Sequence, residues 1–271
     1  MARYSIFTVL MLSFATAALG QGTAASPNKG KQIVDDALAA LGGRAFLEMK
    51  DRVESGRAYS FYNDELRGLA RAKIYTRYLT RPEPTPPNFF GIRERFAMGK
   101  DEDVFVLLNE EGSFEITYRG AKPAPQEQYD RDRESRFHNV LYIFRQRLTE
   151  PGMTFEFQRT DIFENQPVNI VDIIDSENRV VTVYFHQLTK LPVRQQYIRR
   201  DPRTKDRIEE VTVFTKYRDV GGGVQWPFTI RRERNGQKIF EMFAEQVLIN
   251  QGLVDDIFLV SGNIKILTKK K

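Results

Sequence analysis

The side chains that could carry out chemistry in this sequence are few, and their spacing suits binding better than catalysis. There are two histidines, His138 and His186, and no cysteine. That leaves too few imidazole and thiolate donors for a zinc or redox-metal site, so no metal and no cofactor are expected. Carboxylates stand side by side at Asp35-Asp36, Asp101 to Asp103 and Asp255-Asp256. These pairs fall beside turns or on a helix exterior, and consecutive strand residues point to opposite faces, so they do not converge as an acid/base dyad. Gly221-Gly222-Gly223 lacks a following Lys-Ser/Thr, Gly30-Lys31 is followed by glutamine, and no serine stands in a Gly-x-Ser-x-Gly elbow. A hydrolase would need a polar constellation inside the fold, which the sequence does not display. The chain is expected to be non-catalytic.

The elements that would position a binding site are legible from hydrophobic period. Val211 to Phe214, Val224 to Arg234 and Lys238 to Ile249 form a three-strand meander, with Trp226, Phe228 and Ile230 on one side and Gln225, Thr229 and Arg231 on the other. Asn235-Gly236 between the last two is the signal of a type I′ hairpin, whose central residues both need positive φ. Upstream, strands are expected at Arg52 to Tyr62, Gly68 to Thr80, Phe89 to Met98, Val104 to Asn109 and Ser113 to Arg119. Further strands are expected at Met153 to Ile162, Val168 to Ile174, Arg179 to His186 and Pro192 to Arg199. Short links imply antiparallel neighbours. Leu253 to Leu267 is expected to add an edge element.

Two segments have the helical period. Asn28 to Leu41 carries Ile33, Val34, Ala37, Leu38 and Leu41 on one face and ends at Gly42-Gly43, with a second turn over Ala45 to Met49. Gln126 to Thr149, bounded by Pro125 and Pro151-Gly152, carries the stripe Phe137, Val140, Leu141, Phe144 and Leu148. That stripe must be buried, and the concave face of a curved sheet is the nearest apolar surface.

The N-terminus, with Arg3, an apolar run from Ile6 to Phe14 and small residues to Gly20, reads as a secretory signal peptide over 1–20 cleaved before Gln21. A linker over 21–27, a single domain over 28–268 and a basic tail over 269–271 are expected to follow. With no cysteine at the cleavage point the chain cannot be lipidated as a bacterial lipoprotein. The formal charge of +5 comes from basic and acidic residues interleaved throughout. This provides no single-sign face for nucleic acid.

An N-terminal helix ending in Gly-Gly, serial antiparallel strands, a helix inserted midway and more strands together resemble the LolA-like family of periplasmic outer-membrane lipoprotein-sorting carriers. His186-Gln187-Leu188-Thr189-Lys190-Leu191-Pro192-Val193-Arg194 is similar to that family's turn linking two strands. Tyr217-Arg218-Asp219-Val220 through Val224-Gln225-Trp226-Pro227-Phe228 is similar to its Y-x-D-x…G-V-x-x-P strand pair. The resemblance covers nearly the whole chain after residue 20. It implies a mainly β fold, a curved antiparallel half-barrel with amphipathic lid helices over an apolar concave face. It also implies lipid or acylated-protein cargo, inner- and outer-membrane partner proteins, a periplasmic location and no cofactor, and a monomer is expected. The alternative from another class is an envelope sensor or interaction module of the same fold that binds a protein partner.

The period of two offers Tyr59, Phe61, Ile74, Tyr78, Phe90, Ile92, Phe96, Phe114, Ile116, Phe155, Phe157, Trp226, Phe228 and Ile230 as the groove lining, with Phe137, Leu141, Phe144 and Leu148 as the lid. The same residues could equally fill an ordinary core. Arg57 shares the parity of Tyr59 and Phe61. It either points inward and latches the lid helices, or is turned outward by a bulge at Gly56.

Overall fold

The computed structural model describes residues 27–85 and 89–267; the expected signal peptide and most of the linker lie outside them, as does the basic tail. The chain opens with α1 (Pro27–Leu41) and α2 (Gly43–Leu47), then runs through β1 (Asp51–Tyr62), β2 (Glu65–Tyr78), β3 (Ile92–Met98), β4 (Val104–Asn109), β5 (Gly112–Thr117) and β6 (Gly120–Pro123). Two helices follow, α3 (Gln126–Phe137) and α4 (Val140–Tyr142), the latter widening into a π-helical turn over Ile143–Arg147. The second half comprises β7 (Thr154–Phe163), β8 (Gln166–Ile174), β9 (Val180–His186), β10 (Pro192–Arg200), β11 (Arg207–Asp219), β12 (Gln225–Arg234) and β13 (Gln237–Ile249). No described helix is long and apolar enough to cross a membrane.

The 13 strands of the described residues form one sheet in the order β6-β5-β4-β3-β2-β1-β13-β12-β11-β10-β9-β8-β7, antiparallel at every ladder and open between β6 and β7. The chain starts at the centre, steps outward hairpin by hairpin to β6, crosses to the opposite edge at β7, and steps back until β13 pairs with β1. Asn235 and Gly236 have φ of 49° and 77°, the left-handed pair that a type I′ turn requires. The sheet is the curved, unclosed half-barrel expected. β6 was not foreseen, because its four residues are too short to show a period.

The crossover must traverse one face of the sheet, and it takes the inner one. It is not a single helix over 126–149. α3 ends at Phe137, His138 closes it, and Asn139 leaves helical geometry to cap α4 by accepting from the Tyr142 amide at 3.1 Å. None of the α3 residues is buried, whereas Val140, Leu141, Ile143 and Phe144 sink into the core. The apolar stripe begins only where α3 stops.

The main core lies on the inner face beneath α1, α2 and α4. Val34, Ala37, Leu41 and Phe46 meet Phe144, Val183, Phe185, Phe214 and Trp226 there. The C-terminal segment does not extend the sheet as a full strand. It makes a 3-10 turn at Asp255–Phe258, packs Val260 and Ile264 against Leu107 and Ile116, and touches β6 in one parallel bridge, Ala121 to Ile266.

Candidate functional site

The inner face is filled at one end and hollow at the other. Beside the main core lies a cavity of about 330 Å³, at the lower end of the range of about 300 to 1,000 Å³ usual for small-molecule pockets. Its floor is inner-face residues of β1 to β4 and β10 to β13, and its roof is α3 and α4. Ile74, Tyr78, Ile92, Phe96, Val106 and Leu108 form one apolar wall, and Trp226, Ile230, Phe240 and Met242 the other. From the roof, Leu141 and Tyr142 add apolar surface while Asp132, Ser135, Arg136 and Asn139 add polar groups.

The sheet also contributes charge, which contradicts an all-apolar groove. Arg52, Glu54, Thr76, Glu94, Gln195, Tyr197, Glu210, Thr212 and Arg232 all reach the cavity. Arg52 and Glu54 are 7 % and 2 % exposed, which such groups tolerate only when paired. Arg52 donates to Glu54 at 2.6 Å and to Thr76 at 3.0 Å, bonds the Tyr78 hydroxyl, and lies 3.9 Å from the centre of the Trp226 ring. Arg136 pairs with Glu94. Arg199 and Arg234 each reach Glu210 at 2.9 Å. The polar constellation absent from the sequence reading is therefore present, arranged mostly as ion pairs. No group of three His, Asp or Glu among the described residues could hold a metal.

Of the expected lining, Ile74, Tyr78, Ile92, Phe96, Trp226 and Ile230 wall the cavity. Tyr59 does not. It lies on the outer face, edge-on to Phe243 at 5.5 Å, because the inward residues of β1 are Arg52, Glu54 and Ala58 rather than the aromatic set. Phe61 sits at the hairpin end under Lys238, whose ammonium is 4.5 Å from its ring. Phe114 and Ile116 are also on the outer face, packed with Leu107 under the C-terminal segment. Phe155 and Phe157 are covered by α1, which approaches so closely that a Cβ on Gly30 would fall 2.2 Å from the Phe155 carbonyl oxygen. Phe228 is buried in the main core with the Arg218 guanidinium 4.5 Å from its ring.

Phe90 anchors the roof instead of lining the hollow. Its ring meets Phe137 at 5.8 Å and Tyr142 at 5.7 Å, and its carbonyl accepts from the Tyr142 hydroxyl. Of the four expected lid residues only Leu141 reaches the cavity. Phe144 is locked 6.2 Å from Phe185, Leu148 packs on the main core, and Phe137 packs on Phe90. Arg57 is exposed on the outer side and pairs with Glu245 at 3.2 Å. The register of β1 on β2 is unbroken from Asp51 to Ser60, and the slip against β13 after Ser55 skips Glu245 on β13, so Arg57 keeps the parity of Tyr59 and shares its outer face, without a bulge in β1 to turn it and without an inward latch.

What fastens the roof is elsewhere. Arg145 donates to the Met49 carbonyl at 3.0 and 2.6 Å, Arg147 reaches Asp175 at 2.8 Å, and the Val140 amide donates to Gln195 Oε1 at 2.8 Å. These bonds hold α4 and the π turn. α3 is tied more lightly, by Tyr129 to the Asn109 carbonyl at 3.0 Å, Ser135 to Arg232 at 3.2 Å, and the Arg136–Glu94 pair. Between the two helices His138 stacks on Tyr197, ring centres 4.1 Å apart, and burial depresses its imidazole below the usual range.

Sequence reasoning missed Arg52, Glu54, Glu94, Arg136, Glu210 and Arg232 because it assigned charge to the wet face. One signal was present. The alternation Trp226, Phe228, Ile230, carried one step further, arrives at Arg232 on the same side.

No family model matches the chain, and no curated protein matches it. Among solved structures it is similar to a domain from Vibrio parahaemolyticus assigned to outer membrane lipoprotein sorting, with TM-score 0.52, 12% identity, 86% of this chain and 97% of that one covered. A DUF1329 family protein from Desulfovibrio piger gives TM-score 0.56 at 12% identity, covering 85% and 97%. A LolA superfamily protein from Nitrosomonas europaea gives 0.50 at 10% identity, covering 85% and 97%. The likeness spans nearly the full length of each of these structures, and by its fold, one open antiparallel sheet, this chain is a LolA-like half-barrel.

Proposed function

We propose that the protein is a non-catalytic carrier of the bacterial envelope that holds a hydrocarbon chain in the cavity beneath α3 and α4. The observation that carries this reading is the hollow itself, which Ile74, Val106 and Ile230 border together with a cluster of Phe96, Phe240 and Met242, the two phenylalanine rings meeting edge-on at 6.5 Å. Cores are normally packed to near crystal density, so an apolar wall of this extent needs an occupant. A chain placed there gains about 0.8 kcal/mol for each methylene removed from water. The cavity's size suits one acyl chain and excludes several. α3, without a buried residue and lightly tied, would be the part that opens, and α4 the fixed side of the hinge at His138 and Asn139. A periplasmic location and exchange with membrane partners follow from the LolA-like fold and the N-terminal segment as parts of the same proposal.

The test uses the single tryptophan, which stands in the cavity wall. Titration with a neutral naphthylamine membrane probe should quench Trp226 by energy transfer and saturate at one probe per chain. Phe96→Asp should abolish that transfer. No saturable transfer in the unaltered protein would contradict the carrier reading.

An interaction module is favoured by one separate observation. Tyr62, Leu66 and Leu69 stand 65 %, 55 % and 58 % exposed at the end of the β1–β2 hairpin, a patch of the kind that meets protein partners. It lies apart from the cavity residues, so both activities could occur on one chain.

A further inference from the structure

The charged groups of the cavity wall do not all cancel. Glu94 is taken by Arg136, Glu54 by Arg52, and Glu210 by both Arg199 and Arg234. Arg232, on the cavity floor, forms no ion pair among the described residues and donates only to the Ser135 hydroxyl at 3.2 Å. Burial first, then repulsion from Arg136 and Arg234, holds its guanidinium below its ordinary range, although Glu210, already shared by Arg199 and Arg234, and Tyr197 draw it the other way without an ion pair. Arg136 itself has a buried Nε with no partner. Asp132, one turn before Arg136 on α3, also faces the cavity, and burial pushes its carboxyl up despite Arg131, Arg136 and Arg232 around it.

A guanidinium stays protonated in a protein, and even a half-buried charge such as Arg232 is costly without a counter-ion. The site therefore has an unmet demand for an anion between α3 and β12. The apolar floor starts beside it, since Phe240 is the register partner of Arg232 and Ile230 and Met242 form the next inward pair. The unpartnered Glu54 Oε2 does not compete for the same ligand atoms. Arg232 lies level with Ser60 through Phe240, six residues along β1 from Glu54, which corresponds to roughly 20 Å of strand.

We infer that the cavity selects a single-chain amphiphile with an oxyanion head group, the head bound by Arg232 and Arg136 and the chain lying along Phe240, Met242 and Phe96. This rests on the carrier reading and narrows it. Carboxylate and phosphate heads share the required chemistry, since a guanidinium fork accepts either in two parallel bonds.

The test is calorimetric titration of the intact, delipidated protein with dodecanoate, dodecyl phosphate, dodecanol and dodecyltrimethylammonium, each below its micelle concentration. The two anions should bind at least ten-fold more tightly than the alcohol, and the cation more weakly than the alcohol. The tighter of the two anions distinguishes a free fatty acid from a phosphorylated lipid as the natural source. Arg232→Met should erase the advantage of the anions over dodecanol, and Arg232→Lys should restore part of it. If Arg232→Met does not fold, Arg136→Met serves, and the four-ligand series on the unaltered protein decides without any variant. Equal binding of alcohol and anions, or tighter binding of the cation, would overturn the head-group assignment while leaving the carrier reading standing. Failure of all four to bind would overturn the carrier reading itself.

Discussion

Arg57 and Arg147 show how differently two arginines of one protein are used. Arg57 pairs with Glu245 with both side chains more than 60% exposed, at 61% and 63%, where an ion pair is worth less than about 1 kcal/mol. Arg57→Leu should therefore leave the urea midpoint and probe uptake almost unchanged. Arg147 is 5% exposed and holds Asp175 and Glu150 at 2.8 Å each. Arg147→Met leaves Asp175 buried with Arg179 as its remaining partner, so a loss of about 3 kcal/mol in urea unfolding is expected, at the low end for breaking a buried pair. His138 gives a pH signature. Its folded pKa lies below the ordinary imidazole value of about 6.5, so below that value the unfolded chain binds the proton more readily. Stability contributed by neutral His138 is complete above about pH 6.5 and is lost as pH falls toward the folded pKa. Thermal melts of His138→Gln should show less of this decline than the unaltered protein; an identical decline in both would assign it to other groups.

At the scale of elements, strand periods and turn dipeptides were readable in the sequence, and the inserted helix was readable only in its second half. The stripe from Val140 to Phe144 is apolar at helical spacing and is buried; the residues of α3 before Phe137 have no such stripe, and their position follows from the crossover. The parity of β1 misled because its aromatic residues, Tyr59 and Phe61, suggest an inner face, whereas Arg52 and Glu54 occupy it as a buried pair. A period of two identifies the two sides of a strand and cannot say which side is inner once charges are paired inside. One element-level prediction concerns α1. Ala is the better helix former by about 1 kcal/mol, yet at Gly30 an added Cβ would lie 2.2 Å from the backbone oxygen of Phe155. Gly30→Ala should thus lower the melting temperature, and it should expose the amides of β7 and β8 to hydrogen exchange before those of β12 and β13. A raised melting temperature would mean that α1 does not dock so closely.

At the scale of the molecule, the edge-to-edge crossover creates the cavity. A meander begun at the centre must carry its chain from β6 to β7 over one face, and here that passage is firmly packed in its second half and lightly tied in its first. The hollow stays open beneath α3 and the side of α4 that carries Leu141 and Tyr142, and the inner face is filled beneath α1 and α2. Its apolar lining was partly legible in the sequence through Ile74, Phe96 and Trp226; of its arginines only Arg232 had a signal, in the alternation of β12, and Arg52 and Arg136 became visible only with the fold. The most direct test of the carrier account is native mass spectrometry of the protein purified from its own cell envelope without detergent, with chemical identification of whatever is released. The account predicts one amphiphile per chain, carrying a single hydrocarbon tail, and its loss from Phe96→Asp. A uniformly ligand-free mass, from protein that also takes up no added amphiphile, would contradict it.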